Sequence, residues 1–186
     1  ITRKSIMGLV VASVALAASL SSQAQQAPIA KLPGQGQRLD LVVGEVIIKS
    51  SARETNGSVS QFVLFEKPGY STTLQSNSRA DISLLVLEGV LTVRIRDQVV
   101  AYPANSFVYI PKGTPHAHAN LTNKPVRIFM TFTPGGYEQF LIERANTTKA
   151  NKPGTPNYSK AMQALTEKYG ITNHDLTPFR NLQRNR

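Results

Sequence analysis

The sequence predicts an all-β domain, a sandwich or small barrel, that carries one amphipathic helix near its C-terminus. Three observations predict it. Short runs rich in β-branched and aromatic residues follow one another between positions 39 and 132. Turn-forming dipeptides punctuate them. Apolar residues recur at three- and four-residue steps from position 158. The length of 186 residues suits one compact domain, and 41% hydrophobic against 17% charged residues excludes wholesale disorder.

Residues 1–24 read as a signal peptide. Arg3 and Lys4 supply a positive start, positions 6–20 form an apolar run, and Ser22-Gln23-Ala24 offers small residues for cleavage. The run is shorter than the ~20 residues of a spanning helix. The expectation is therefore export, to a periplasmic or secreted location, with no stable membrane anchor after cleavage. Residues 25–38, rich in Gln, Ala, Pro and Gly, read as an extended arm.

Positions 39–143 form the β-domain, with strand signals at 39–48, 60–65, 83–87, 91–95, 106–110 and 126–132. Turns are marked by Asn56-Gly57, Pro68-Gly69, Glu88-Gly89, Pro111-Lys112-Gly113 and Pro134-Gly135-Gly136. Residues 144–157 are polar, hold Pro153, Gly154 and Pro156, and read as a loop. The pattern Tyr158, Met162, Leu165, Tyr169 predicts a helix over 158–170, stopped by Gly170. Residues 171–186 read as a loose basic tail.

Twenty-one basic against eleven acidic side chains give a formal charge of +10; without Arg3 and Lys4 it is +8. Much of the surplus lies beyond position 143, with no interleaved aromatics, so it reads as a solvated surface and no nucleic-acid partner is expected. The absence of cysteine excludes disulfides, thiolate metal clusters and a cysteine nucleophile. No G-x-S-x-G turn supports a hydrolase triad, and the Asn-x-Ser/Thr sequons are expected to be bare.

Residues 106–120 read Ser-Phe-Val-Tyr-Ile-Pro-Lys-Gly-Thr-Pro-His-Ala-His-Ala-Asn. Pro111 and Gly113 set a tight turn that launches a strand. Period two then puts His116, His118 and Asn120 on one face, with Ala117 and Ala119 on the other. The segment resembles the second signature of the cupin superfamily, P-x-G-x-x-H-x-x-x-N, filled by Pro111, Gly113, His116 and Asn120. Val86-Leu87-Glu88-Gly89 is similar to the turn closing the first signature. The stretch 132–140 resembles the strand exit of bacterial quercetin-dioxygenase-like single-domain cupins. The resemblance implies a jelly-roll-like cupin β-barrel, with the face of His116 lining its interior and His116 at a metal-ligand position.

The first signature departs from the pattern. Counting back from Gly89 places Ile82 where the family has Glu, and Gln75 and Asn77 where it has two histidines. Asp81 is adjacent but faces the other way unless a bulge intervenes. One imidazole and two amides hold a divalent ion poorly, even if His118 adds a second imidazole. The expected cofactor is therefore none. The alternative is a divalent metal such as Mn, Fe, Ni or Zn held weakly by His116 and His118.

The favoured expectation is an exported cupin-domain protein binding a small, partly apolar organic molecule through Gln75, Asn77, Ile82, His116, His118 and Asn120. One alternative is a quercetin-dioxygenase-like oxygenase, metal-dependent or with His116 or His118 as general base; the other is a non-catalytic interaction module. Ile82, Leu84 and Val86 continue the inner face, while Leu85 and Leu87 make the other face apolar too. A homodimer would cover that outer face, as would the 39–48 strand.

Overall fold

The structure, a computed structural model, describes residues 26–183; the expected signal peptide lies outside them. Two antiparallel sheets face each other. The first takes β1 (Gln37–Leu41), β2 (Gly44–Ser50), β3 (Ser60–Glu66), β10 (Val126–Thr133), β5 (Asp81–Glu88) and β8 (Phe107–Ile110), neighbouring in that order. The second takes β11 (Ile171–Asp175), β4 (Leu74–Asn77), β9 (His116–Ala119), β6 (Val90–Ile95) and β7 (Gln98–Pro103). The predicted all-β class and its jelly-roll-like barrel are what the chain adopts.

Alternation drives the packing. On β3, Phe62 and Leu64 are buried between half-buried neighbours, and on β5 Ile82, Leu84 and Val86 are buried between half-buried or exposed ones. Ile128, Met130 and Phe132 of β10 join them, and Leu91 and Val93 of β6 complete the core from the opposite sheet. Gly89 turns β5 into β6 with φ +82°, and a Cβ there would lie 2.7 Å from the Pro125 carbonyl oxygen, so only glycine fits.

Three expectations need correction. The run 39–48 is a hairpin rather than one strand: β1 pairs with β2 across Val42-Val43. Neither valine takes a positive φ, so no turn residue marks the reversal. Gly44 does carry a signal, since a Cβ there would meet the Phe65 carbonyl oxygen at 2.4 Å. The hairpin extends the first sheet at its far edge and leaves Leu85 of β5 exposed, so it is not the cover for that face.

The expected loop 144–157 is largely helix, α1 spanning Tyr137–Ala150. Tyr137, Phe140, Leu141, Arg144 and Ala145 do follow helical spacing, but only its first half is apolar enough to announce it. Buried Glu138 pins its start, accepting from the main-chain N–H of Ala52 at 2.8 Å and of Gly136 at 3.1 Å, and from the Ser60 hydroxyl. The helix expected over 158–170 is α2, Pro156–Lys168, with Thr155 as its cap and Pro156 in its first turn.

The expected loose tail is, through residue 183, a strand and a short helix. β11 pairs antiparallel with β4, Ile171 opposite Asn77. Phe179, 1% exposed, packs on Leu74, Ala117 and Ala119, closing the outer face of the second sheet just before α3 (Arg180–Gln183). Among the described residues no helix is long and apolar enough to cross a membrane.

Phe179→Ala should lower unfolding stability by about 3–5 kcal/mol, the cost of emptying a buried aromatic site. Leu182→Ala, at a side chain 43% exposed, should change it by less than ~0.5 kcal/mol. Urea denaturation of both variants checks the contrast.

Candidate functional site

Between the sheets lies a cavity of about 490 Å³. Phe62, Leu64, Ile82, Met130 and Phe132 give it an apolar floor. Polar groups converge above them: Gln75 of β4, His116 and His118 of β9, and the phenols of Tyr70 and Tyr137. Helices α1 and α2 supply a roof that includes Arg144, Met162 and Gln163.

The two histidines are held differently. His116 Nδ1 lies 2.8 Å from the Thr114 carbonyl oxygen. A carbonyl only accepts, so Nδ1 carries the proton and Nε2 keeps its lone pair. Burial pushes the imidazole down to about 4, against the raising effect of the Thr114 bond, and nearby His118 adds a small lowering. His116 is neutral near pH 7.

His118 Nδ1 lies 2.7 Å from Oε1 of Glu66, whose side chain is 0% exposed. The Thr72 hydroxyl accepts the His118 main-chain N–H at 3.0 Å, and the Tyr70 ring stacks on the imidazole at 5.8 Å between centroids. Oε2 of Glu66 has no hydrogen-bond partner among the described residues. His118 is therefore the one side-chain partner of a buried carboxylate, and its ring is locked with Nδ1 turned toward that carboxylate.

Not all of the expected ligand-binding residues reach the cavity. Gln75, Ile82, His116 and His118 line it. The structure places Asn77 and Asn120 in supporting roles instead. Asn77 Oδ1 accepts the main-chain N–H groups of Arg79 and Ala80, capping the turn into β5. Asn120 Nδ2 donates to the carbonyls of Glu66 and Lys124, and its main-chain N–H to that of Tyr70, steadying the two residues that flank His118. Asp81 stays on the outer side, where it accepts the Lys112 N–H at 2.8 Å and contacts the Tyr109 phenol. Both contacts lower its pKa.

Sequence reasoning missed Glu66, Tyr70, Tyr137 and Arg144. Glu66 had a signal: Ser60, Phe62 and Leu64 face inward, and the same period reaches Glu66 one residue past the expected strand end. Burial raises the pKa of both Tyr70 and Tyr137. The Arg144 guanidinium acts on the Tyr70 phenol, and Gln75 on that of Tyr137, each opposing the effect of burial.

The donor set does not fit the metal that the second signature implies. Among the described residues no three His, Asp or Glu side chains gather where an ion could sit, and no carboxylate lines the cavity. Glu66 stands behind His118, where it orients the ring rather than offering oxygen to an ion.

Residues 62–132 match the family model of the cupin domain. KdgF from a Halomonas species is similar in structure at 14% identity, with TM-score 0.52 over 58% of this chain and 96% of that one. An RmlC-like cupin from Shewanella frigidimarina is similar at 16% identity, with TM-score 0.52 over 62% and 98%. TT1209 from Thermus thermophilus is similar at 17% identity, with TM-score 0.50 over 57% and 98%. The fold is the cupin fold. No curated protein matches the sequence.

The unfolded imidazole of His116 titrates near 6.5 and the folded one at about 4, so the unfolded chain binds the extra proton between these values. Stability should thus fall as the pH drops through that window, with up to about 3 kcal/mol of the loss due to His116. Urea denaturation at pH 7, 5.5 and 4 should show a shallower loss for His116→Gln than for the wild type.

Proposed function

We propose that this cupin-fold chain binds a small, partly apolar organic molecule inside the barrel and holds no divalent metal tightly. The observation that carries the reading is the cavity itself, an apolar floor under a few converging polar groups, which is the usual make-up of a small-molecule site. A barrel serving only as an interaction module would gain stability by filling that space. A quercetin-dioxygenase-like oxygenase is less well supported, because Ile82 stands at the position of the ligand or base carboxylate and offers no proton acceptor.

A thermal-shift screen of small aromatic and aliphatic molecules tests the binding. Hits should lose most of their effect in Gln163→Trp, which places a bulky ring at an exposed position on the cavity rim. A screen without hits, or hits indifferent to that ring, would overturn the reading. Protein grown with Mn, Fe, Ni and Zn should retain far less than one metal per chain after dialysis. Stoichiometric metal in elemental analysis would count against the metal-free site.

The Glu66–His118 pair favours a second reading, proton abstraction from a carbon next to a carbonyl. A carboxylate at Nδ1 fixes the ring and stabilises the imidazolium that forms when Nε2 takes a proton. Deuterium exchange into bound carbonyl compounds, followed by proton NMR, should be faster with the wild type than in buffer and be lost in His118→Gln, which still offers Glu66 a donor. Exchange no faster than in buffer leaves a binder without catalysis.

Export rests on the composition of residues 1–24. The homodimer gains support from Leu85, Phe107 and Tyr109, 37%, 62% and 53% exposed on the outer side of the adjoining strands β5 and β8. Sedimentation equilibrium should give a dimer that Phe107→Lys dissociates; a wild-type monomer would remove it.

A further inference from the structure

We infer that the molecule bound in the cavity is an organic carboxylate, its carboxyl group paired with Arg144 and its apolar body lying over Phe62, Met130 and Phe132. The inference rests on the cavity-binding reading above and names the ligand class.

Among the described residues, Arg144 is the one side chain with a permanent charge that lines the cavity, and no Asp or Glu lines it. Arg144 is half-buried, and it makes no ion pair with a described residue, although five Lys or Arg side chains elsewhere do. A cation facing a largely apolar hollow is normally paired. The groups around it do not serve. The groups it acts on are phenols, those of Tyr70 and Tyr137, which line the cavity with it. Burial keeps both phenols protonated, so neither becomes a counter-anion. Glu66, also part of the Tyr70 surroundings, is turned to His118 and does not line the cavity. His116 is neutral near pH 7. The missing anion therefore comes with the ligand.

The charge count also selects the kind of anion. One guanidinium, with its planar fork of N–H donors, matches a carboxylate in charge and shape. A phosphate ester carries nearly two charges, and the cavity lining offers no second cation. The apolar floor requires a hydrocarbon or aromatic body, which excludes small polar acids. Tyr70 links this anchor to the proposed base, since its ring stacks on His118 while its phenol feels the Arg144 guanidinium. A carboxylate held at Arg144 thus presents the neighbouring carbons of its chain on the His118 side.

Isothermal titration at pH 8 of the full chain tests this with matched pairs: phenylacetate, 3-phenylpropionate, indole-3-acetate and hexanoate, each beside its primary amide, with phenyl phosphate as a further arm. At least one acid should bind roughly 10- to 100-fold more tightly than its amide, the range expected for a hydrogen-bonded charged group. Arg144→Gln should erase that advantage, weakening the acid roughly 10-fold or more beyond any change in its amide, and Arg144→Lys should keep part of it. Phenyl phosphate should bind more weakly than phenylacetate. Acids and amides binding equally, an acid advantage that survives Arg144→Gln, or tighter phosphate binding would each overturn the inference while cavity binding stands. If neither acids nor amides bind, it falls together with cavity binding.

Discussion

The contact between Glu66 and His118 is the constraint around which the site is organised. Glu66 ends β3 in one sheet and His118 lies on β9 in the other, so the 2.7 Å bond ties the two layers at the cavity wall. A carboxylate with a fully buried side chain needs a partner, and removing one member of such a pair costs about 3–5 kcal/mol. The pairing also forbids a slip of either strand by one residue, which would turn the carboxylate or the imidazole outward. Asn120 and Thr72 then serve the same contact from its flanks, through the Glu66 carbonyl and the His118 main chain. What appears chemically to be a site is mechanically a cross-brace.

That brace changes what the departures from the first cupin signature mean. A carboxylate at the position of Ile82 would face the cavity and could share an ion with His116. Glu66 is on the far side of His118, where it fixes the orientation of the ring but cannot reach across it. The cavity thereby trades an inward negative charge for Ile82, which extends the floor, and Gln75, which contacts Tyr137. The result is a hollow lined by one guanidinium, that of Arg144, and by no carboxylate, better suited to an organic molecule than to a bare cation.

Much of the barrel could be read in the sequence because its inner faces obey period two and its turns use residues with special backbone geometry, such as Gly89 and Gly113. The reading failed where those signals are weak. Val42-Val43 reverses the chain with ordinary φ values. The second half of α1 has too few apolar residues to show its period, and β11 is mostly polar because it lies at a sheet edge. At the site, parity correctly gave the faces of Gln75, Ile82, His116 and His118 but not the ends of strands. Asn77 and Asn120 sit where β4 and β9 give way to turns, and there local main-chain N–H and C=O groups capture an amide before a cavity can. Glu66 was lost to a strand boundary placed one residue early. Arg144 was lost because it lies in a helix the sequence did not announce.

This last omission has a physical moral for where specificity resides. The segment that matches the cupin model, 62–132, supplies the floor and the imidazoles. Arg144, Met162 and Gln163 come from helices beyond it and close the space from above. Phe140 and Tyr169 meet edge to face at 5.7 Å, and Lys168 and Tyr169 both bind Glu143, so α1 and the end of α2 are fastened to each other. β11 and Phe179 fasten the chain beyond them to the second sheet. A roof anchored at both ends holds its guanidinium in a set position over a generic barrel. On the proposed binding role, the barrel would keep its packing and its braced imidazole unchanged while the helices that cover it set the choice of ligand.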